Sequence, residues 1–117
     1  MSNGHAINVR AIAGKVVVRW RGKILAETTK AMELFEATYP GVVYVPREDA
    51  KMGMLERTAR VTTCPFKGEA NYYSIHDGAE RDDNAIWTYE SPKPAAEAIR
   101  GHLAFYPDKV TIGRTSA

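Results

Sequence analysis

Apolar and polar positions alternate through residues 7–26 with a period of two. Val16, Val18 and Trp20 fall on one side of an extended chain, and Val17, Arg19 and Arg21 on the other. That pattern is the mark of a half-buried strand. Gly14-Lys15 and Arg21-Gly22 supply turns at either end, and Ile24-Leu25-Ala26 resumes the extended pattern. The opening therefore predicts a meander of two or three short antiparallel strands. After Thr28-Thr29 the period lengthens. Either hydroxyl suits a helix N-cap, and Ala31, Leu34, Phe35 and Thr38 recur at helical spacing until Tyr39-Pro40-Gly41. A short helix is expected there.

Val42-Val43-Tyr44-Val45 is rich in branched side chains and reads as a strand that Pro46 closes. Pro46-Arg47-Glu48-Asp49 has the chemistry of a turn leading into a short helical segment, with Met52, Met54 and Leu55 as apolar cover. A strand over Arg60-Val61-Thr62-Thr63 follows. Tyr72-Tyr73-Ser74-Ile75-His76 and Ala85-Ile86-Trp87-Thr88-Tyr89 flank a polar stretch, 77–84, as a hairpin would, with Asp82 and Asp83 at the surface. Ser91-Pro92-Lys93-Pro94 interrupts the chain. Ala95, Ala96, Ala98, Ile99 and Leu103 form a second helical pattern, broken by Gly101. A last strand is expected over Lys109 to Ile112, and a frayed tail over Arg114 to Ala117. Roughly seven short strands and two short helices describe a mainly β, antiparallel, compact single domain over 1–117, with its ordered core at about 7–113.

Composition narrows the function classes. A chain of 117 residues has room for one core. Sixteen basic against fourteen acidic residues leave a net charge of +2, too little to predict a nucleic-acid or membrane partner. Arg19, Arg21 and Lys23 share one side of a strand and read as a solvated face. The apolar runs are far too short for a membrane helix. The opening Met-Ser-Asn-Gly-His has no basic patch followed by an apolar stretch, so a cytoplasmic location is expected. One cysteine excludes an internal disulfide and a multi-cysteine zinc site. His5, His76 and His102 are never three or four apart, so no metal site is expected, and no glycine-rich phosphate loop calls for a cofactor.

The densest chemistry lies in Thr63-Cys64-Pro65-Phe66-Lys67-Gly68. Pro65 biases Cys64 toward extended backbone, and 65–68 has the composition of a tight turn that would hold Lys67 at the sheet rim. A nearby ammonium favours the thiolate, so Cys64 with Lys67 is a candidate nucleophile and its catalytic neighbour. The other reading of Cys64 is a small buried hydrophobe. Arg47 follows a strand end, with Asp49 two residues on. Its guanidinium offers paired donors to a carboxylate or phosphate and, with Lys67, would make a two-cation anion site. An internal Arg47–Asp49 clamp is the alternative. Tyr72 and Ser74 share one face, as do Trp87 and Tyr89, so these rings line either a pocket mouth or the sheet core. Glu69 and Glu90 follow turns and are expected to be solvated.

Several blocks together carry a family resemblance. They are Tyr44-Val45-Pro46-Arg47-Glu48-Asp49, the run 63–68, Tyr72-Tyr73-Ser74, the run 85–92 from Ala85-Ile86-Trp87 to Ser91-Pro92, and Leu103-Ala104-Phe105-Tyr106. In this order and spacing the chain resembles the bacterial family called domain of unknown function 427, from about Val16 to Val110. The resemblance implies a compact domain of coiled antiparallel sheets with little helix, and no established activity. The family's signature residues are in place at Pro46, Arg47, Asp49, Cys64, Pro65, Lys67, Gly68, Tyr72, Trp87 and Tyr89. A nucleotidyltransferase-like label is sometimes attached to the family. The chain has no paired aspartates beside a Gly-Ser step to hold magnesium and triphosphate.

Three functional expectations stand side by side. The first is a pocket for a small anionic or polar molecule, with Arg47, Asp49, Lys67, Tyr72, Trp87 and Tyr89 as ligand-binding residues. The second is a thiol-dependent small enzyme using Cys64 with Lys67. The third is a non-catalytic module that forms a homodimer through an edge strand.

Overall fold

Burial follows the period-two pattern. Val16, Val18 and Trp20 are completely buried, while the alternating positions are exposed at Lys15 and Arg19 and half-buried at Val17. They lie on β2 (Lys15–Trp20), which turns through Arg21-Gly22 into β3 (Lys23–Thr28). Both turn residues have positive φ, 51° and 83°, the two-residue geometry that matches the twist of a hairpin. The computed structural model describes residues 6–115, and among these ten strands form three antiparallel sheets. The others are β1 (Ile7–Ala11), β4 (Met32–Glu36), β5 (Val42–Tyr44), β6 (Leu55–Cys64), β7 (Gly68–His76), β8 (Arg81–Thr88), β9 (Leu103–Phe105) and β10 (Thr111–Thr115). Their orders are β1-β4-β5, β10-β2-β3 and β6-β7-β8-β9. Paired backbone bonds of 2.8 Å between Val45 and Leu103 join the first sheet to the edge of the third. The mainly β architecture read from the sequence is the observed one. No helix among the described residues is long and apolar enough to cross a membrane.

Sheet β6-β7-β8-β9 is covered on both faces. Tyr73, Ile75, Ile86, Leu103 and Phe105 pack with Val16, Val18, Trp20 and Leu25 of the β2–β3 sheet. Ala70, Tyr72, Tyr89 and Ala104 pack with Leu34 and Tyr44 of the β4–β5 sheet and with Ala96 and Ile99. This is why β7 reads as a nearly continuous buried run from Tyr72 to Ile75 instead of a clean alternation.

The first expected helix is a strand. Thr28 does not cap anything: it ends β3, donates to Asp49 Oδ2 at 2.7 Å and accepts the Lys30 N–H at 2.9 Å. A hydroxyl holding the backbone two residues on favours a turn over a helical start. Met32–Glu36 is then flanked by β1 and β5 and pairs with both. So short a segment has too little helix stability of its own to resist two ladders. The second expected helix is a six-residue 3-10 stretch, Pro94–Ile99, kinked at Ala96 and burying Ala96 and Ile99. The Arg47–Asp49 and Met52–Met54 segments are single 3-10 turns. The 72–76 and 85–89 strands do pair, but β8 begins at Arg81, so the tip is only Asp77 to Glu80. Asp77 Oδ1 accepts the Ala79 and Glu80 N–H groups and stiffens that tip. Asp82, expected at the surface, instead takes the indole N–H of fully buried Trp20 at 2.8 Å. β10 runs later than expected and includes Arg114 and Thr115, while the rest of the expected tail, Ser116 and Ala117, lies outside the described residues.

Candidate functional site

Lys67 is set by a tight hairpin. Cys64 pairs with Gly68 across the bend, and Gly68 holds φ 114° with Ser91 O and Lys93 N within 3.5 Å of where a Cβ would sit. Only glycine fits that backbone without strain. Lys67 O accepts the Lys93 N–H at 2.9 Å, and its side chain points to the face of the sheet that carries Tyr72 and Tyr89.

There the chain forms a hollow of about 250 Å³. Its sheet wall is Tyr72, Trp87 and Tyr89, with Tyr72 and Trp87 directly opposite each other on β7 and β8. Tyr106, following β9, and Tyr44, on β5, complete the ring cluster, and Tyr39 and Pro40 form the rim. Tyr44, Tyr72 and Tyr89 are buried, Trp87 and Tyr106 are half-buried, and Tyr39 is exposed. Trp87 and Tyr106 lie 4.7 Å apart with planes tilted 54°, and Trp87 meets Tyr44 edge-on, donating its indole N–H to the Tyr44 hydroxyl at 3.3 Å.

Two charges sit in this aromatic wall, and they are paired. The Lys67 ammonium donates to the Glu36 carboxylate, with both side chains less than one-sixth exposed, at 12% and 15%. Burial works against the lysine's charge, but the Glu36 carboxylate and the neighbouring Cys64 outweigh it and hold the ammonium above its ordinary pKa. Lys67 is thus a firmly protonated donor, 6.0 Å from the Tyr89 ring. Burial raises the phenols of Tyr44 and Tyr89. The phenols of Tyr72 and Tyr106 are hydrogen-bonded to one another and diverge. Burial opposes ionisation of Tyr72, but hydrogen bonds with Thr62 and Tyr106 and the Arg60 guanidinium, 4.9 Å above its ring, bring it below the ordinary value. Tyr106 is raised by burial and by the Tyr72 phenol.

Of the residues expected to bind a ligand, Lys67, Tyr72, Trp87 and Tyr89 share this hollow, and Arg47 and Asp49 do not. Arg47 lies across the sheet, because its partners Tyr73 and Thr88 alternate with Tyr72, Trp87 and Tyr89. It donates to Gly101 O at 3.1 Å, Tyr73 OH at 3.0 Å, Thr88 Oγ1 at 3.2 Å and Glu90 Oε2 at 3.3 Å. Arg57 grips the same carboxylate through two bonds and holds its pKa below the usual range. Glu90, expected to be solvated, is therefore the anchor of an arginine clamp. Asp49 bonds Thr28 instead. The two-cation anion site is not assembled: Arg47 and Lys67 occupy opposite faces, each with its own carboxylate. Arg47 does border a second hollow of about 460 Å³ with Lys30, Glu48, Arg100 and His102. There Arg100 is turned to Glu97 and Glu90 O, and Lys30 faces Glu48 at 3.6 Å.

Cys64 is half-buried and packs against the cluster behind the pocket. His76 stands at the far end of β7, about 26 Å away at the rise of a strand, and is no base for this thiol. No cluster of metal-ligating side chains exists among the described residues.

Sequence reasoning missed Glu36, Tyr39, Tyr44 and Tyr106. Glu36 and Tyr39 were hidden by the helix expectation. Alternation through Val42-Val43-Tyr44 places Val42 and Tyr44 on one face, and both line the pocket. That signal was present. The model of a protein family described as a domain of unknown function, DUF427, matches residues 8–115, nearly the whole chain. No curated protein matches it.

Proposed function

The chain belongs to the DUF427 family, and we propose that it is a small-ligand-binding domain whose site is the aromatic hollow around Lys67 and Glu36. One observation carries this reading. Six aromatic side chains converge on a concavity whose two charged groups are already neutralised by each other. Packed sheet cores bury their rings completely, whereas Trp87 and Tyr106 keep part of their surface open beside polar groups. A concave, mainly apolar wall with a few fixed donors and acceptors is the usual form of a small-molecule site. The Lys67–Glu36 pairing moves the expected ligand from an anion toward a polar molecule without net charge.

The two tryptophans give a direct test. Trp20 is buried in the other core and Trp87 lines the hollow. In a two-dimensional amide spectrum of the labelled chain, small polar fragments should move the Trp87 indole N–H and leave that of Trp20 in place. Saturable shifts confined to other surfaces, or none at Trp87 across a broad fragment set, would end the reading.

A second reading, thiol chemistry, is favoured by the closeness of Cys64 to Lys67 and Tyr89. It predicts fast alkylation of the folded chain by iodoacetamide near neutral pH. Labelling that requires unfolding removes it.

A further inference from the structure

We infer that β10 is a docking edge, away from the Lys67 hollow, for an extended polypeptide segment of a partner protein. The segment is taken up as an added strand and carries two consecutive acidic residues. Three observations point to it. The first is the edge itself. β10 pairs with β2 on one side, and no described residue pairs with it on the other. An open edge is a row of unpaired N–H and C=O groups that accepts another chain unless proline, lysine or a bulge guards it. The edge strand β6 is guarded: its ladder to β7 slips between Arg57 and Val61, where Thr58 Oγ1 takes the Arg60 N–H. β10 runs against β2 in unbroken register and contains neither proline nor lysine.

The second observation is on the inner side of that edge. Ile112 packs on the core, and Arg114, two residues on, falls on the same side. Arg114 lines a hollow of about 310 Å³ with Arg10, Glu33 and Phe35. Arg114 donates to both oxygens of Glu33, at 3.1 and 2.8 Å. Arg10 lies 5.5 Å from the centre of the Phe35 ring and makes no ion pair with a described residue. The three charged side chains of this hollow therefore leave one positive charge in excess.

The third is on the outer side. Gly113 pairs with Val17, and Lys15 and Arg19 flank Val17 on that face. A Cβ on Gly113 would meet only Val17 O, at 4.0 Å, so the fold has no need of glycine there. The missing side chain leaves a gap across β10 toward β2. Lys15 is paired with Glu27, whereas exposed Arg19 makes no ion pair with a described residue. A strand added to β10 stands about 10 Å from β2, two strand spacings, which the side chains of a glutamate and an arginine span together. Consecutive side chains of that strand point to opposite sides. One acid meets Arg10 in the hollow, and its neighbour crosses Gly113 to Arg19. Peptide backbone fits the edge because it alternates donors with acceptors, while a phosphate backbone brings acceptors alone. A second copy of β10 brings Thr-Ile-Gly-Arg-Thr and no acid for either arginine.

The test uses the full labelled chain with acetyl-Thr-Val-Glu-Glu-Val-Thr-amide, its Lys-Lys counterpart and an oligothymidylate as probes. The acidic peptide should shift the amides of residues 111–115 saturably, with a dissociation constant on the order of 0.1–1 mM. It should also slow hydrogen exchange at the β10 N–H groups that point away from β2, and the lysine peptide should do neither. Arg10→Gln should weaken the acidic peptide about tenfold, the loss of one hydrogen bond to a charged group. Gly113→Val, which closes the gap, should weaken it several-fold, with the urea midpoint of each variant as the check on folding. Equal binding of the acidic and lysine peptides overturns the inference, as does an acidic-peptide affinity unchanged in folded Arg10→Gln. Oligothymidylate binding at 111–115 without the acidic peptide, or self-association through β10 that excludes it, overturns it too. So does the absence of any acidic-peptide shift at 111–115.

Discussion

The Lys67–Glu36 pair joins the bend after β6 to the end of β4, and its coupling is measurable. Consider Lys67→Met, Glu36→Gln and the double variant. Methionine keeps much of the lysine stem's volume, and glutamine keeps the shape of the carboxylate. Two unit charges at 4 Å attract by about 4 kcal/mol at the effective dielectric of a protein surface, and desolvation of each offsets part of that. Removing one member of a fully buried pair costs about 3–5 kcal/mol because the other is left charged and unpaired. With 12% and 15% of the side chains still reaching water, each single change should cost about 2–3 kcal/mol. The double variant should cost less than the sum of the singles by about 2 kcal/mol. The assay is urea unfolding at pH 7, followed by tryptophan fluorescence and far-ultraviolet dichroism. The pH dependence has a definite sign. Lys67 has its folded pKa raised, so its contribution is complete below the unfolded value near 10.4 and is lost as pH rises through the folded one. The single-variant cost should therefore be flat from pH 7 to about pH 10. Singles that add to the double within about 0.5 kcal/mol would show the two charges uncoupled, and the charge argument for the pocket would fall with them.

Other consequences are separable. Arg47→Met removes four hydrogen bonds of the clamp; it should cost about 3 kcal/mol in urea unfolding while leaving probe shifts at the Trp87 indole unchanged. Gly68→Ala forces a side chain onto backbone at φ 114° and should lower stability by at least about 1–2 kcal/mol, seen as a shifted urea midpoint. Asp77 is depressed by the Lys23 ammonium and by the Glu80 and Ala79 N–H groups, so its contribution is present above the unfolded value near 3.9 and is lost as pH falls through the folded one. Asp77→Asn should therefore narrow the difference from the parent chain as acid unfolding proceeds below about pH 4, measured by the urea midpoint against pH.

The strands of this fold were legible where side chains alternate sharply, as at Val16, Val18 and Trp20, or where β-branched residues cluster before a proline, as at Val42–Val45. Met32–Glu36 was not, because its local spacing fits a helix and its strand state comes from neighbours remote in sequence. Ile7 to Ala11 lie on one side and Val42 to Tyr44 on the other. The same limit applies to the site. Pairing of 72–76 with 85–89 follows from a nearby turn, so Tyr72, Trp87 and Tyr89 were found together. Which cation joins them is decided by which face each long-range segment reaches. Arg47 follows a proline directly and Lys67 lies two residues after one, and nothing local distinguishes the one that ends on the pocket face.

That division of faces has a physical logic. On the Arg47 side the polar groups are consumed by one another: Glu90 takes Arg47 and Arg57, and Thr88 takes Arg47 while donating to His102 O. Such a network gives stability and geometry to the strand ends and leaves little to offer a visitor. The same strands carry Trp87 and Tyr89 on the reverse face at fixed spacing. Clamping Thr88 and Glu90 therefore holds the pocket's rings in register without a polar group entering the pocket. A rigid sheet locked from behind is what lets half-buried rings stay open in front. Rings free to shift would close the hollow on themselves and bury the remaining apolar area. On this argument the clamp and the hollow are one construction. Weakening Arg47 to the point of local unfolding should empty the pocket of affinity only when the sheet itself gives way.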